Sequence, residues 1–225
     1  MAQTHTEGES GMERHEPTKI EWRGRILSIQ VRATVWRYLL HNRTHREIGY
    51  TLFFHGDAPD RTGYFSVAIS EKQQQNGQFR INDALTGTAW TKMYRETEYA
   101  DYYRAGSLKR VANFGTVDEG PPPPWLIDPP PLETYSWRCA RQLAIGRYKG
   151  ECFQCVWANM SAVTIAWNFD TGLNKYRFES FCYGPKSCAL YSMGKARGVS
   201  YKGRGTVYDT GDIDEDSTVH RDWDE

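Results

Sequence analysis

Residues 79–90 read FRINDALTGTAW, and this stretch gives the clearest indication of the fold. A polar turn at residues 82–83 leads into a segment in which Leu85, Gly87 and Ala89 occupy alternate positions, the period of a β-strand with one buried face. A glycine inside such a strand permits the sharp bend by which a small barrel closes. We therefore expect a strand, a turn and a second strand from a small β-barrel.

The sequence on either side supplies further strand-like runs. They lie at residues 19–31, 49–54, 64–69 and 108–112. Between residue 90 and the last run, the aromatic residues of 91–104 are spaced as in a short helix that packs on the barrel. Five short strands and one helix over residues 19–115 resemble an OB-fold. An SH3-like or other small barrel has the same local features and is left open.

Length, charge and hydropathy limit the class of protein. At 225 residues the chain is long enough for two modules of ordinary size. Its formal net charge is 0 and its mean hydropathy is -0.70, so a charged partner must be met by a local patch. No run approaches the roughly 18–20 apolar residues of a membrane span, and the N-terminus lacks the apolar core of a signal peptide. We therefore expect a cytoplasmic protein without membrane contact.

Composition divides the chain into five segments. Residues 1–18 have almost no apolar content and predict a disordered arm. Residues 19–115 form the predicted barrel, 116–132 a proline-rich strap, 133–208 a module with four cysteines, and 209–225 an acidic tail. The strap is a stiff spacer or a ligand for an aromatic groove on a partner protein. The tail is solvated, binds a basic partner, or shields a basic groove of the same chain.

Four cysteines carry the strongest chemical signal. Cys152 and Cys155 are separated by two residues, a spacing that puts both sulfurs on one side of a tight turn whose amides can hydrogen-bond thiolates. Cys182 and Cys188 form a second pair with five residues between them, and a Gly-Pro step turns that loop back. Because the cytosol keeps thiols reduced, metal binding is favoured over disulfides.

The segment between the two pairs predicts a β-hairpin. Residues 160–167 and 175–181 alternate in polarity, and residues 168–174 have the composition of a turn. A hairpin brings the second pair back to the first, as in a zinc-ribbon-like module with four thiolates around one metal ion. The predicted fold is therefore mostly β (α+β), with an N-terminal OB-like barrel and a C-terminal zinc-ribbon-like hairpin module.

The identity of the metal is open at this point. Zinc is the predicted cofactor, an iron–sulfur cluster uses the same thiolate ligands, and thiols that only pack or that pair oxidatively are the third alternative. No histidine lies near the cluster, so a closed structural site is favoured over an open catalytic one. Cys139, which lies thirteen residues before Cys152, is interpreted as a small buried side chain.

A basic and aromatic segment predicts where nucleic acid binds. Residues 23–46 contain six arginines and no acidic residue. The candidate nucleic-acid-binding residues are Arg23, Arg25, Arg32, Trp36, Arg37 and Tyr38. Arginine binds phosphates, and exposed rings stack on bases. The alternative is that the rings belong to the core and the arginines form a solvated face.

Catalytic motifs are scarce. The sequence has no nucleophile-elbow serine, no dinucleotide glycine fingerprint and no phosphate-binding loop, which disfavours an enzyme. OB-like and zinc-ribbon-like modules occur together in proteins of replication, repair, transcription and translation. The resemblance therefore implies non-catalytic binding of single-stranded nucleic acid or structured RNA. The alternatives are a protein-interaction or assembly subunit with a structural zinc, and an iron–sulfur redox protein or other enzyme.

Overall fold

The computed structural model describes residues 14–37, 43–113, 128–167, 174–195, 199–201, 204–206 and 211–221. Strands make up 51% of the structure and helices 19%, which confirms the predicted mostly-β class. Eight of the strands form one sheet with both parallel and antiparallel pairs. No helix within the described ranges is long and apolar enough to cross a membrane.

The first half of the chain supplies five strands and one α-helix. In chain order these are β1 (Lys19–Arg37), β2 (Arg43–Ala58), β3 (Arg61–Ile69), α1 (Glu71–Gly77), β4 (Asp83–Thr91) and β5 (Tyr102–Asn113). A short 3-10 helix, Arg95–Thr97, lies between β4 and β5.

The five strands pair in a cycle. β1 pairs with β2, β2 with β3, β3 with β5, β5 with β4, and β4 again with β1. The seam between β3 and β5 rests on the parallel pair Val67 and Tyr102, whereas the other four seams are antiparallel ladders. This part of the sheet is therefore ring-like, and we call these five strands the ring.

A bulge in β1 decides which of its side chains enter the core. The register with β2 shifts between Ile26 and Ser28. Ile26 is core before the shift, and Ile29 and Val31 are core after it, because one extra residue reverses the in-and-out alternation of a strand. Ser28 and Gln30 consequently face the other side of β1, where the second half of the chain buries them.

The second half of the chain extends the same sheet. Its elements are α2 (Leu132–Arg138), β6 (Arg141–Gln142), α3 (Ile145–Lys149), β7 (Ala158–Trp167), β8 (Asn174–Cys182), β9 (Val199–Tyr201), β10 (Arg204–Thr206) and α4 (Gly211–Thr218). The full strand order is β2-β3-β5-β4-β1-β7-β8-β6. The end of β1 pairs in parallel with β7 at Val35 and Trp36, so the two predicted modules share one sheet.

The predicted hairpin in the second half is confirmed. β7 and β8 pair antiparallel, from Ala158 opposite Cys182 at the open end to Trp167 opposite Asn174. The turn between them, residues 168–173, lies outside the described residues. The zinc-ribbon-like assignment of this hairpin stays a prediction.

Two predicted elements of the first half are wrong. Residues 91–104 do not form the expected helix: they contain the end of β4, the 3-10 helix and the start of β5. The helix lies earlier, at α1, where Ser70 and Gln73 form a capping box. Residues 79–82 are not a strand but a turn, with Asn82 in the left-handed region at a φ of 74°. The chain thus passes from α1 into β4 through this turn.

The described parts of the arm and strap contact the first half of the chain. In the arm, the His15 amide donates to the Met93 carbonyl at 2.8 Å. In the strap, the Tyr50 hydroxyl donates to the Pro130 carbonyl at 2.7 Å. The prolines of residues 129–131 therefore lie on the chain's own β2, and the rest of the predicted strap falls outside the described residues.

The tail also packs on the sheet. Asp214 on α4 is buried, and its Oδ2 accepts a hydrogen bond from the backbone N–H of Gln142 at 2.6 Å. Arg221, fully buried, donates to the carbonyl oxygens of Arg138 and Gly184. Asp214, Thr218 and Arg221 of the tail are therefore buried and not solvated, and the side chains of Asp214 and Arg221 satisfy backbone groups around β6 and β8.

Candidate functional site

The fold brings the four predicted metal ligands to the open end of the hairpin. Cys152 and Cys155 lie in the turn between α3 and β7, Cys182 is the last residue of β8, and Cys188 lies in the loop that follows. The first three are buried and Cys188 is half-buried. Burial of several thiols at one end of a hairpin is the placement that the cysteine spacing predicted.

Backbone amides donate to two of the sulfurs. The Gly184 amide donates to Cys182 Sγ at 3.3 Å, and the Trp157 amide donates to the Cys155 thiol. In both cases the donor lies two residues after the cysteine, in a turn closed by backbone hydrogen bonds such as Cys155 N–H to Cys152 O at 3.0 Å. Amides aimed at sulfur stabilise the thiolate, which is the form that binds a metal.

The electrostatics of the thiols reflect burial first and their mutual proximity second. Burial, with smaller contributions from the thiols of Cys182 and Cys188, raises the pKa of Cys152 from 9.0 to about 11. Burial also raises the pKa of Cys155 and of Cys182, and in each case other cysteines of the quartet add to the shift. Without a metal ion the thiols of Cys152, Cys155 and Cys182 are therefore protonated at neutral pH, and the four sulfurs lie near enough to influence one another.

Arg141 provides a buried positive charge beside the quartet. Its Nη2 donates to the carbonyl oxygens of Gly184 at 3.1 Å and Pro185 at 2.7 Å, inside the loop that joins the second cysteine pair. The guanidinium favours the ionised form of the Cys182 thiol, against the larger effect of burial on that pKa. Among the described residues Arg141 forms no ion pair with a carboxylate. The loop is thus held in place, and a cation lies where thiolates would need one.

The thiols do not form a closed metal cluster as they stand. Within the described ranges, no group of three or more histidine, cysteine, aspartate or glutamate side chains is arranged so that it could hold a metal ion. None of the five cysteines is in a disulfide bond. Zinc and the iron–sulfur cluster both stay predictions, and Cys139, which is half-buried and donates to the Ser136 carbonyl, lies outside the quartet.

The turn between the first two cysteines is fastened to the ring. The Phe153 carbonyl accepts hydrogen bonds from Ser28 Oγ at 2.7 Å and Gln30 Nε2 at 2.6 Å. Gln30 Oε1 in turn accepts one from the Tyr148 hydroxyl at 2.9 Å. The Phe153 ring packs edge-on against Phe53 of β2, with ring centroids 4.9 Å apart. The cysteine turn therefore covers the outer side of β1 and β2.

The predicted nucleic-acid-binding residues do not form one patch. Arg23 and Arg25 are exposed on the outer face of β1, and Arg23 pairs with Asp57 at 2.9 Å. Arg32 is mostly buried in an ion pair with Glu98. Trp36, 43% exposed, lies at the far end of β1, roughly 40 Å along the strand from Arg23. The side chain of Arg37 and all of Tyr38 lie outside the part of the chain that the structure describes.

A second surface joins the two exposed arginines to aromatic and basic residues of β4 and β5. Lys19, Trp90 and Tyr103 lie in one cross-strand row, and Arg23, Thr86 and Lys109 lie in another. We call the outer face of β1, β4 and β5 the β4 face; its residues are Lys19, Glu21, Arg23, Arg25, Thr86, Thr88, Trp90, Tyr103, Ser107 and Lys109. Trp90 is 36% exposed. Along β4, the outward residues Thr86, Thr88 and Trp90 alternate with the buried Leu85 and Ala89. The period of two that predicts the strand therefore also identifies its outward side chains.

The β4 face is more basic than acidic and contains a groove. Its cations are Lys19, Arg23, Arg25 and Lys109, against Glu21 on the face and Asp57 at its edge. The groove has a volume of about 520 Å³, and Trp22, Arg23, Gly87 and Lys109 contribute to its lining. An exposed tryptophan ring, cations and a groove on one face are features by which proteins bind single strands.

The chain matches no protein-family model, no curated protein and no solved structure.

Proposed function

We propose that this protein binds single-stranded nucleic acid or structured RNA on the β4 face, without catalysis, and that zinc on the four cysteines stabilises its fold. The observation that carries the first part is the combination of the exposed Trp90 and the half-buried Tyr103 with Lys19 in one row, and of Arg23 with Lys109 in the next. Rings offer stacking surfaces that accept any base, and the cations lie within reach of the phosphates of the same strand.

The strand order of the ring supports an OB-like barrel, but the binding face differs from the usual one. OB-folds commonly receive oligonucleotides on the face of their second and third strands. Here that side of β2 is covered, because Phe53 contacts the rings of Phe153 and Tyr99 at 4.9 and 6.3 Å between centroids. The open β4 face takes its place in our proposal.

The charges of the β4 face are available to a ligand. Arg25 and Lys109 are exposed, and Arg23 is held by an exposed ion pair with Asp57, a kind of contact that contributes little to stability. A phosphate can therefore replace Asp57 as the partner of Arg23. Arg32 is different, because its ion pair with Glu98 is largely buried, and we leave it out of the proposed site.

Fluorescence anisotropy with labelled single-stranded RNA and DNA of about 16 nucleotides, the upper site size of one such barrel, tests the proposal. Loss of one stacking platform in Trp90→Ala should weaken binding roughly tenfold. Lys72→Ala, which removes an exposed cation from α1, is the matched control and should bind as the wild type does. No binding even at low salt would overturn the proposal and favour a protein-interaction or assembly subunit.

The proposal of zinc rests on the chemistry around the quartet. The amides of Trp157 and Gly184 donate to sulfur, and the buried Arg141 lies beside Cys182. Zinc with four thiolates carries net negative charge, which such donors and a nearby guanidinium stabilise. A bound ion would cross-link the Cys152–Cys155 turn to the end of β8. This cross-link would help to hold the turn in its place on the ring.

Metal analysis of protein purified without chelators tests this part. We expect one equivalent of zinc, its loss in Cys182→Ser, and its retention in Cys139→Ser, since Cys139 lies outside the quartet. If the protein is brown, contains iron and absorbs visible light, the site holds an iron–sulfur cluster instead of zinc. Protein without any metal would show that the thiols only pack.

A further inference from the structure

Three guanidinium groups converge on the loop that follows Cys182. They belong to the end of α2, to β6 and to the 3-10 helix that follows α4 in the tail. The side chains are those of Arg138, Arg141 and Arg221, and the acceptors are the successive carbonyl oxygens of Tyr183, Gly184 and Pro185. The donor–acceptor distances lie between 2.5 and 3.1 Å. Three elements that are distant in sequence therefore fix the backbone of one cysteine loop.

Gly184 connects a sulfur of the quartet to the tail. Its N–H donates to Cys182 Sγ at 3.3 Å, and its carbonyl oxygen accepts from Arg221 Nη2 at 2.5 Å. The Arg221 side chain is fully buried, and its Nη1 also donates to the Arg138 carbonyl at 3.1 Å. The hydrogen-bond path from the sulfur to a buried cation of the tail thus runs through one residue.

The rest of the described tail is held beside the same loop. Asp214 Oδ2 accepts from the backbone N–H of Gln142, and the buried Thr218 hydroxyl donates to the Asp214 carbonyl, both at 2.6 Å. His220 Nε2 lies 2.6 Å from the Trp137 carbonyl oxygen. The helix α4 has eight residues, and an isolated helix of that length is unstable in water. The tail therefore depends on these contacts for its structure.

The charge of the quartet differs between the metal-bound and the metal-free protein. Zinc with four thiolates carries net negative charge, which attracts the buried guanidinium of Arg221. An ionised sulfur is also a stronger acceptor for the Gly184 N–H than a thiol is. Both effects hold the loop after Cys182 in the position that the tail contacts. We therefore expect the tail to dock more firmly on the metal-bound site.

We propose that docking of the tail, residues 211–221, is coupled to metal binding by the four cysteines, with Arg221 as the positioning residue that connects them. The inference rests on the zinc part of the proposed function and adds a conformational response to it. Coupling between two binding events is reciprocal. Zinc should therefore favour the docked tail by the same factor, roughly tenfold, by which the docked tail favours zinc.

Hydrogen–deuterium exchange of the full-length protein measures the docking of the tail. The protein is stripped of metal with a chelator and then titrated with zinc chloride. The amides of residues 211–221 should exchange roughly tenfold more slowly with zinc than without it. Those of β3, which pairs with none of the cysteine-bearing elements, should not change. Equal exchange of the tail in the two states, with zinc bound in one of them, would overturn the inference.

Variants of the 3-10 helix give the reciprocal readout. Arg221→Met removes the guanidinium but keeps a long unbranched side chain, and it should weaken zinc binding roughly tenfold in chelator competition. Val219→Ala, which shortens a side chain that is 60% exposed in the same helix, is the matched control and should bind zinc as the wild type does.

Thermal melting distinguishes coupling from a role of Arg221 in packing alone. If Arg221 only packs, Arg221→Met lowers the melting temperature equally with and without zinc and leaves the zinc affinity unchanged. Coupling predicts a larger decrease in the zinc-loaded protein than in the metal-free one. Equal decreases together with an unchanged zinc affinity would contradict the inference.

The outcomes also separate this inference from the proposed function. If the wild type binds zinc and Cys182→Ser does not, while Arg221→Met binds it as tightly as the wild type and the tail does not respond to the ion, the coupling is wrong and the zinc site stands. If the wild type takes up no zinc, the zinc part of the proposed function fails, and the coupling fails with it.

Discussion

The hydrogen bond between Gln30 and Tyr148 joins the cysteine-bearing half of the chain to the long first strand. Substitutions of its two partners should therefore have less effect on stability together than the sum of their separate effects. Both side chains are buried, and the Tyr148 hydroxyl donates to Gln30 Oε1 at 2.9 Å. Gln30 Nε2 also donates to the Phe153 carbonyl at 2.6 Å. The bond therefore belongs to the network that fastens the cysteine turn on the ring.

The expected free energies follow from these contacts. Tyr148→Phe leaves the buried amide oxygen of Gln30 without its donor, which should lower the free energy of unfolding by about 1–3 kcal/mol. Gln30→Met removes two hydrogen bonds and should lower it by about 2 kcal/mol. In the double variant no amide oxygen is left unpaired, so adding Tyr148→Phe to Gln30→Met should change little.

Urea denaturation of the four proteins at one pH measures this coupling. We expect the sum of the single effects to exceed the double effect by about 1–3 kcal/mol. Ser136→Ala, which removes an exposed bond to Glu47, should be additive with Gln30→Met. If Gln30→Met and Tyr148→Phe are additive, the two side chains are not coupled, and the hydrogen-bond network does not hold the cysteine turn against the ring.

Three further results are expected. Burial raises the pKa of the Cys152 thiol from its unfolded value of 9.0 to about 11, so this thiol ionises at lower pH in the unfolded chain than in the folded one. The free energy of unfolding of the metal-free protein, measured in urea titrations, should therefore fall between pH 9 and 11. In a zinc-loaded protein the thiolates are already ionised, and the free energy should change little over this range. Arg141→Met should weaken zinc binding by about 10- to 100-fold in chelator competition. Arg25→Met, which removes an exposed arginine from the outer face of β1, is the control; equal affinities of Arg141→Met and the wild type would contradict the role of Arg141 beside the thiolates. Deletion of residues 211–225 should lower the melting temperature and leave nucleic-acid affinity unchanged, because the described tail packs around β6 and β8; tighter binding would restore the shielding interpretation.

The parts of the fold that the sequence predicts well are those with local patterns. The alternation of Leu85, Gly87 and Ala89 identifies β4, and the two alternating runs that flank residues 168–174 identify the β7–β8 hairpin. The same hairpin explains why the cysteine pairs, far apart in sequence, come to one end of the structure. Each of these features depends on residues within one or two neighbouring elements.

The helix was misplaced for a physical reason. The spacing of rings in residues 91–104 suggests a helical face, but Tyr102 is core because β5 crosses the ring there and pairs with β3. Long-range pairing thus overrides the local pattern. The helix of this region, α1, is short and polar, and in the sequence it is indicated by the capping box of Ser70 and Gln73.

The burial of Ser28 and Gln30 depends on contacts that no spacing reveals. On the sequence alone they are the polar positions of an alternating strand and are expected to face solvent. The bulge between Ile26 and Ser28 sets which way they point, and the cysteine turn then covers them. For the same reason the basic segment 23–46 could not be divided in advance into exposed Arg23 and Arg25 and the buried ion pair of Arg32.

The salt dependence of single-strand binding tests the β4 face most directly. Each cation that contacts a phosphate contributes roughly 0.7 to the slope of log K against log salt concentration. The double variant Arg23→Ala with Lys109→Ala should therefore reduce the magnitude of the slope by about 1.4 relative to the wild type, and Lys72→Ala should leave it unchanged. Equal slopes for the double variant and the wild type, or no binding by the wild type at low salt, would contradict the proposed site.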